Sequence, residues 1–213
     1  MIKKPIKIIA VSDTHNSHWN VEIPECDIFI FAGDAGCRDF NELQDFDKWL
    51  GTIKAKYRIV IAGNHCSYIE QIGKKDAKLF LTNAIYLENE AISVMGIKFW
   101  ASPYSVEFNG WHFMKYENQL KLLWDLIPEK TDIVITHCPC RNILDLSSTN
   151  GEFCGSYTLR DRIKEIKPKI HICGHLHSAH GQYTDYKTDY YNVSVFNDEY
   201  EHVFEPTTIY FKK

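Results

Sequence analysis

Ile28-Phe29-Ile30-Phe31-Ala32-Gly33-Asp34 decides how this chain is read, because an unbroken apolar run is cut off by a glycine and a carboxylate. A continuous run this short reads as a strand buried on both faces, since a half-buried strand would alternate apolar and polar residues. Four more stretches share the form. Ile6–Val11 runs into Ser12-Asp13, Ile59–Ala62 into Gly63-Asn64-His65, Ile133–Thr136 into His137, and Ile170–Cys173 into Gly174-His175. In open α/β sheets, ligands bind beyond the carboxyl ends of the strands. Polar clusters at all of these strand ends therefore predict one site, assembled from residues far apart in the chain.

Amphipathic segments lie between the runs. Asp39-Phe40-Asn41-Glu42 has the form of a capping box, and Leu43, Phe46, Leu50 and Ile53 follow at helical spacing. Thr158-x-x-Asp161 opens a second helix with Leu159, Ile163 and Ile166 on one face. Leu120, Leu123, Trp124 and Ile127 mark a third, stopped by Pro128. Ala91–Ala101 reads as a hairpin turning at Met95-Gly96, and strands near Tyr190–Phe196 and Thr207–Phe211 close the chain. The sum is an α/β protein whose sheets are covered by helices, with a single domain over residues 1–213.

Composition narrows the function. Hydrophobic residues make up 45% and charged residues 24%, an ordinary globular mixture that excludes disorder and collagen-like repetition. A formal charge of −4 with no Lys/Arg cluster argues against a polynucleotide as the main partner. Cys26, Cys37, Cys66, Cys138, Cys140, Cys154 and Cys173 are scattered and odd in number. Together with a short N-terminal apolar run and no stretch of membrane-spanning length, they predict free thiols in a reducing, cytoplasmic setting. Asn192-Val193-Ser194 fits a glycosylation acceptor but is read as part of a strand.

The residues at the strand ends are metal-ligand types. Asp13 and His15 share one loop, spaced so that both side chains reach a single ion. Asp34 follows a glycine and has two oxygens, enough to bridge two cations. Asn64 offers an amide oxygen, and His137, His175 and His177 offer imidazole nitrogens. Oxygen and nitrogen donors without an obligatory thiolate suit Mn²⁺, Fe, Zn²⁺ or Ni²⁺ better than Ca²⁺. A bland reading also exists: Asp, Asn and Gly favour turns after strands. It accounts for any one cluster but not for the histidines that fall with them.

Taken in order, Asp13-x-His15, Gly33-Asp34, Gly63-Asn64-His65, His137 and Gly174-His175-x-His177 resemble the five motifs of calcineurin-like metallophosphoesterases. Gly96–Pro103, Phe108–Trp111, Thr136-His137-Cys138-Pro139 and Asn192-Val193-Ser194 look like the MPPED-type branch, related to class III cyclic-nucleotide phosphodiesterases. The resemblance implies a four-layer αββα sandwich of two mixed sheets and a pair of divalent or transition metal ions. One ion would take Asp13, His15, Asp34 and His177, the other Asp34, Asn64, His137 and His175. A water bridging them would attack a phosphodiester in line, with His65 stabilising charge or protonating the leaving oxygen. Hydrolysis of a small phosphodiester such as a cyclic nucleotide is the function implied. A phosphomonoesterase or nuclease on the same centre, or a non-enzymatic scaffold on this fold, are the alternatives.

Two positions depart from the family's pattern. Cys66 stands where an acidic residue often orients the loop histidine, and Glu70 is a substitute for that role. Cys138 replaces a usual glycine, which puts a thiol beside a ligand, able to bind metal or oxidise. Cys138-Pro139-Cys140 lacks a second pair at zinc-site spacing and reads as free thiols. Arg38 is either a phosphate partner or a surface residue near a helix start. Trp111 and His112 are candidate substrate contacts, with Tyr104 and Phe108 as further rings for stacking or for loop packing. His171 reads as a core residue, and His18, His180 and His202 as surface.

Overall fold

The computed structural model describes residues 4–212. In chain order the elements are β1 (Ile6–Val11), β2 (Cys26–Ala32), α1 (Phe40–Thr52), β3 (Ala55–Ile61), α2 (Ser67–Phe80), β4 (Ile85–Tyr86), β5 (Glu90–Val94) and β6 (Ile97–Ser102). They continue with β7 (Ser105–Val106), β8 (Met114–Lys115), α3 (Glu117–Trp124), β9 (Ile133–Thr136), α4 (Tyr157–Ile166), β10 (Ile170–Cys173), β11 (Gly181–Thr184), β12 (Asp189–Asn192) and β13 (Thr207–Phe211). One sheet has the order β13-β1-β2-β3-β4 and another β11-β12-β10-β9-β6-β5, while β7 pairs with β8. Both large sheets are mixed: β13 runs antiparallel to β1, and β11 and β5 are antiparallel edges.

The two-residue period of a strand explains the unbroken apolar runs. Ile8, Ala10, Ile28, Ile30, Ile59 and Ile61 share a core with Phe99, Ala101, Ile133, Ile135 and Ile172 of the facing sheet. Their neighbours Ile9, Val11, Phe29, Phe31 and Val60 turn the other way, onto Leu43, Phe46 and Leu50 of α1 and Ile69 and Ala77 of α2. On the far side Trp100, Val134 and Tyr190 meet Leu120 and Trp124 of α3 and Leu159 and Ile163 of α4. Helix pair, sheet, sheet and helix pair follow one another, as the resemblance implied. The central strands are buried on both faces towards their carboxyl ends, so polar residues are few there, with His171 in β10 a buried exception.

Local signals are borne out with shifts of a residue or two. Asp39 caps α1 by accepting the Asn41 and Glu42 amides at 2.8 and 2.9 Å. Glu42 does not close the expected box; its carboxylate accepts the Arg38 amide instead, at 2.7 Å. The cap of α4 is Ser156, whose hydroxyl accepts Leu159 N–H at 3.1 Å, rather than Thr158. Met95 and Gly96 have φ of +51° and +72°, as a tight hairpin turn between β5 and β6 requires. Helix α2 was not foreseen. Gly73, at φ +76°, breaks it midway, so no helical period carries through.

His18 is not on the surface. It is buried against Phe46 and Trp49, and its Nε2 meets Asp45 at 3.0 Å. Asn192 is buried too, which removes it as a glycosylation acceptor. No helix among the described residues is long and apolar enough to cross a membrane.

Strands β1, β2 and β3 are mutually parallel, as are β6, β9, β10 and β12, so the carboxyl ends in each sheet open on one edge. Past β1 and β12 the two sheets are stitched together. Ser12 N–H donates to Val193 O at 3.0 Å, and Val195 N–H to Ser12 O at 3.3 Å. The loops that follow these strands in both sheets therefore meet at one seam.

Two expectations follow for stability. The Glu117 carboxylate caps α4 from α3, accepting Tyr157 N–H at 2.8 Å and the hydroxyls of Ser156 and Thr158 at 3.0 and 2.6 Å. Glu117→Ala should cost roughly 2 kcal/mol and lower Tm by about 5 °C in a thermal melt. His171 is buried, with Nε2 2.8 Å from the Thr136 hydroxyl, and burial pushes its pKa from 6.5 down to about 3. Below pH 6.5 the unfolded chain takes up a proton that the native state refuses. Stability is thus fully present above pH 6.5 and falls as pH drops towards 3. Denaturant melts from pH 6.5 to 4.5 should show His171→Gln losing about 1.4 kcal/mol per pH unit less than the parent chain.

Candidate metal centre

The motif glycines are dictated by the side chains that pack on them. A Cβ on Gly33 would strike the His137 ring, one on Gly63 the Asp34 carboxylate, and one on Gly174 both Ser12 and the Asp13 carboxylate. Each glycine thus admits a donor from a different loop. The donors in turn hold one another's backbones. Asp34 Oδ1 accepts His65 N–H at 2.8 Å, and both Asp13 oxygens accept His175 N–H at 3.1 Å. Asp13, His15, Asp34 and His175 all have positive φ, between +43° and +73°, a region that non-glycine residues enter at a cost.

Ring orientation is set by carbonyls. His137 Nδ1–H donates to Ala32 O at 2.9 Å, which turns Nε2 into the cluster. That nitrogen faces Asn64 Oδ1 at 3.0 Å and Asp34 Oδ2 at 3.1 Å. His177 Nδ1–H likewise donates to Asn197 O at 3.0 Å, and its Nε2 faces His15 Nε2 at 3.1 Å and Asp13 Oδ1 at 3.7 Å. Several ligand-type atoms converge at both places, with Asn64 Nδ2 buried and unpartnered beside one of them. A shared proton satisfies one such pair, whereas a divalent cation would satisfy all of these acceptors at once. The donor set fits that need: Asp13 with His15 and His177, and Asp13 with Asp34 and His137, bring ligand atoms within 4.8 Å of one another. The His175 ring adds a further donor, 5.0 Å from His137.

The electrostatics agree. Burial alone raises the Asp34 carboxyl, but the charge and hydrogen bond of His137, joined by His15 and His65, hold it well below the ordinary carboxylate range. His137 is the converse: burial lowers it, while Asp34 by charge and hydrogen bond, then Asp13, raise it to about 9. Burial drives His15 down to about 4 and His175 to about 3. At neutral pH the cluster on its own therefore pairs an ionised Asp34 with a protonated His137, while His15 and His175 keep free lone pairs; a metal ion ligated by His137 would displace that proton.

The expected auxiliary residues scatter. The His65 ring stands over the cluster, 4.8 Å from His15 and 4.7 Å from Trp111. Glu70 does not orient it, because its oxygens accept Phe113 N–H and meet His112 Nδ1, each at 2.8 Å. His112 faces Glu70 and lies outside the residues that line the hollows at this centre. Cys66, buried, meets the thiol of Cys37. Cys138 belongs to none of the ligand groups; its thiol donates to Pro139 O, and burial lifts its pKa to about 12, so it is a packed thiol. Tyr104 packs on Phe113 and Phe108 on Trp111.

Two hollows open over the centre. One, about 210 Å³, is lined by His15, Asn16, Gly36, Arg38, His65 and Tyr200; its Arg38 guanidinium is also held by Glu42 at 2.7 Å. The other, about 200 Å³, exposes Asp34, Asn64, His65, His175 and His177 beneath Trp111 and Tyr200. Sequence reasoning missed Tyr200 and Asn197. It also missed the role of Asn192, whose amide donates to the carbonyls of Gly174 and Leu176 and fixes the His175–His177 loop. Asn192 lies in the Asn-Val-Ser stretch, but nothing local in the sequence tells what it holds.

Comparison with known proteins agrees with this geometry. The family model for calcineurin-like phosphoesterases matches residues 6–179. Metallophosphoesterase domain-containing protein 1 of Homo sapiens is 32% identical, over 95% of this chain and 70% of that protein. A UPF0046 protein of Caenorhabditis elegans is 30% identical, over 98% and 76%. Among solved structures, the phosphopantetheinyl hydrolase of Mycobacterium tuberculosis shares the fold with a TM-score of 0.61 and 15% identity, over 94% of this chain and 92% of that one. The chain, with its cluster of metal-ligand side chains at the seam of two sheets, belongs to the calcineurin-like phosphoesterases, a family of metal-dependent hydrolases of phosphoric esters.

Proposed function

We propose that the chain is a two-metal phosphodiesterase acting on a small molecule such as a cyclic nucleotide, and that residues 1–213 work as one catalytic domain. The observation that carries this reading is the pair of foci where ligand-type atoms converge, His15 with His177 and Asn64 with His137, with Asp34 and Asp13 near both. One ion would be held by Asp13, His15, Asp34 and His177, the other by Asp34, Asn64, His137 and His175. Mn²⁺, Fe, Zn²⁺ and Ni²⁺ all suit these donors. Bound there, dications acidify water and draw charge from the phosphoryl oxygens.

The chain's own residues do the rest. Ala32 O and Asn197 O fix the tautomers of His137 and His177, so their Nε2 atoms stay available. Asp34 takes part in both ligand sets while its Oδ1 anchors the loop that carries His65. The His65 ring nitrogens have no hydrogen-bond partner among the described residues, which leaves them free to donate to a phosphoryl or leaving oxygen. Small hollows and a single Arg among their lining residues support a small substrate over a polynucleotide. The free state of all the cysteines fits a reducing compartment such as the cytoplasm.

The test is hydrolysis of bis-p-nitrophenyl phosphate by metal-stripped protein titrated with Mn²⁺. Turnover should appear with metal and fall at least about a thousandfold in Asp34→Ala, together with bound metal measured by elemental analysis. Turnover of p-nitrophenyl phosphate alone would move the reading to a monoesterase. His65→Gln should separate from this behaviour: kcat falls about 10²- to 10³-fold while the metal content holds.

A further inference from the structure

Tyr200 stands where the metal centre alone does not require it. The turn from Asn197 to Tyr200 follows β12 and is closed by Tyr200 N–H donating to Asn197 O at 3.0 Å. Asn197 Oδ1 accepts the Glu199 and Glu201 amides at 3.0 and 2.8 Å, and the Asp198 carboxylate accepts the Ser148 hydroxyl. Tyr200 leaves this turn at φ +60°, an outlying conformation for a bulky residue. The ring it projects is 54% exposed and touches ligand histidines rather than core: it lies edge-on to His15 at 4.8 Å and to His177 at 5.5 Å. Trp111, 43% exposed, lines the same hollow from the His65 side. Two large rings therefore stand half-uncovered at the mouth of a hollow of about 200 Å³, whose wall also presents Asp198, Ser147 and Thr149.

Packing does not explain the arrangement. A ring held in a strained turn, away from the apolar core, gains little from burial and leaves its faces in water. A flat ligand covers such faces, and base–aromatic stacking tolerates any planar ring. The carboxylate and hydroxyls beside the rings accept hydrogen bonds from ring-borne N–H and sugar O–H groups. We infer that Tyr200, with Trp111, forms the slot for the organic part of the ester, and that this part is a nitrogen-bearing aromatic ring of nucleobase type. The inference rests on the phosphoesterase reading above and assigns Tyr200 as its specificity-determining residue.

The experiment compares binding of 5′-AMP and ribose 5-phosphate to Mn²⁺-loaded protein by calorimetry, because the two share sugar and phosphate and differ in the base. The parent chain should prefer 5′-AMP by about tenfold or more. Tyr200→Asn keeps a residue that tolerates the left-handed turn, and should bring the two ligands within about twofold with ribose 5-phosphate unchanged. Tyr200→Phe should retain the preference, since the ring stays. Equal binding of the two ligands by the parent chain, or a preference that survives Tyr200→Asn, overturns the slot and leaves the phosphoesterase reading standing. Failure of either phosphate to bind at all overturns both.

Discussion

A carboxylate, an amide oxygen and imidazole nitrogens turned on one another in a dry interior repel unless a proton or a metal cation lies among them, and the chain is organised around that constraint. Asp34, Asn64 and His137 meet in this way, as do Asp13, His15 and His177. None of the groups can retreat. The rings are held by carbonyls, the carboxylates by amides of other loops, and the glycines beneath them leave no room for a side chain. Parallel strands bring the loops to one edge, and the stitch between Ser12 and Val193 joins the edges of the two sheets. A two-sheet sandwich suits this purpose because its seam collects donors from both sheets while keeping most of them from water.

The same arrangement accounts for where strain is placed. Left-handed backbone at Asp13, His15, Asp34 and His175 falls at the loops that carry the clustered side chains. Over-determined strain of this kind persists only where surrounding contacts hold it, and the amide-to-carboxylate bonds here do so. The strands behind these loops, by contrast, have no left-handed residue and are largely apolar, so the core supplies the rigidity that holds the loops.

Much of the fold and the convergence of the strand-end Asp and His residues were legible in the sequence, for one reason: both depend on short-range pattern. A strand buried on both faces is apolar along most of its length, so its end is visible where polar residues begin, and Asp13, Asp34, Asn64, His137 and His175 stand at or just past those ends. What escaped depends on tertiary placement. His18 reads as a surface residue until α1 brings Phe46 and Trp49 over it. Glu70 is close to His65 in sequence, yet α2 turns it to His112 and the Phe113 amide. Helix α2 itself lost its periodicity at Gly73. Tyr200 lies in a polar turn with no pattern to mark it.

That last case separates two kinds of information in the chain. The family model ends at residue 179, just past His177, the last proposed ligand. Asn192, Asn197, Asp198 and Tyr200 all lie beyond it, yet they steady the His175–His177 loop or wall the hollow. The link from this later segment to the His177 ring is the carbonyl of Asn197, a backbone atom that any residue supplies. Side chains in the turn can therefore vary while the ring stays oriented, provided the turn keeps its shape. On this view the matched portion holds the chemistry common to the family, and the turn that follows β12 is where a relative with the same ligands can come to prefer a different ester.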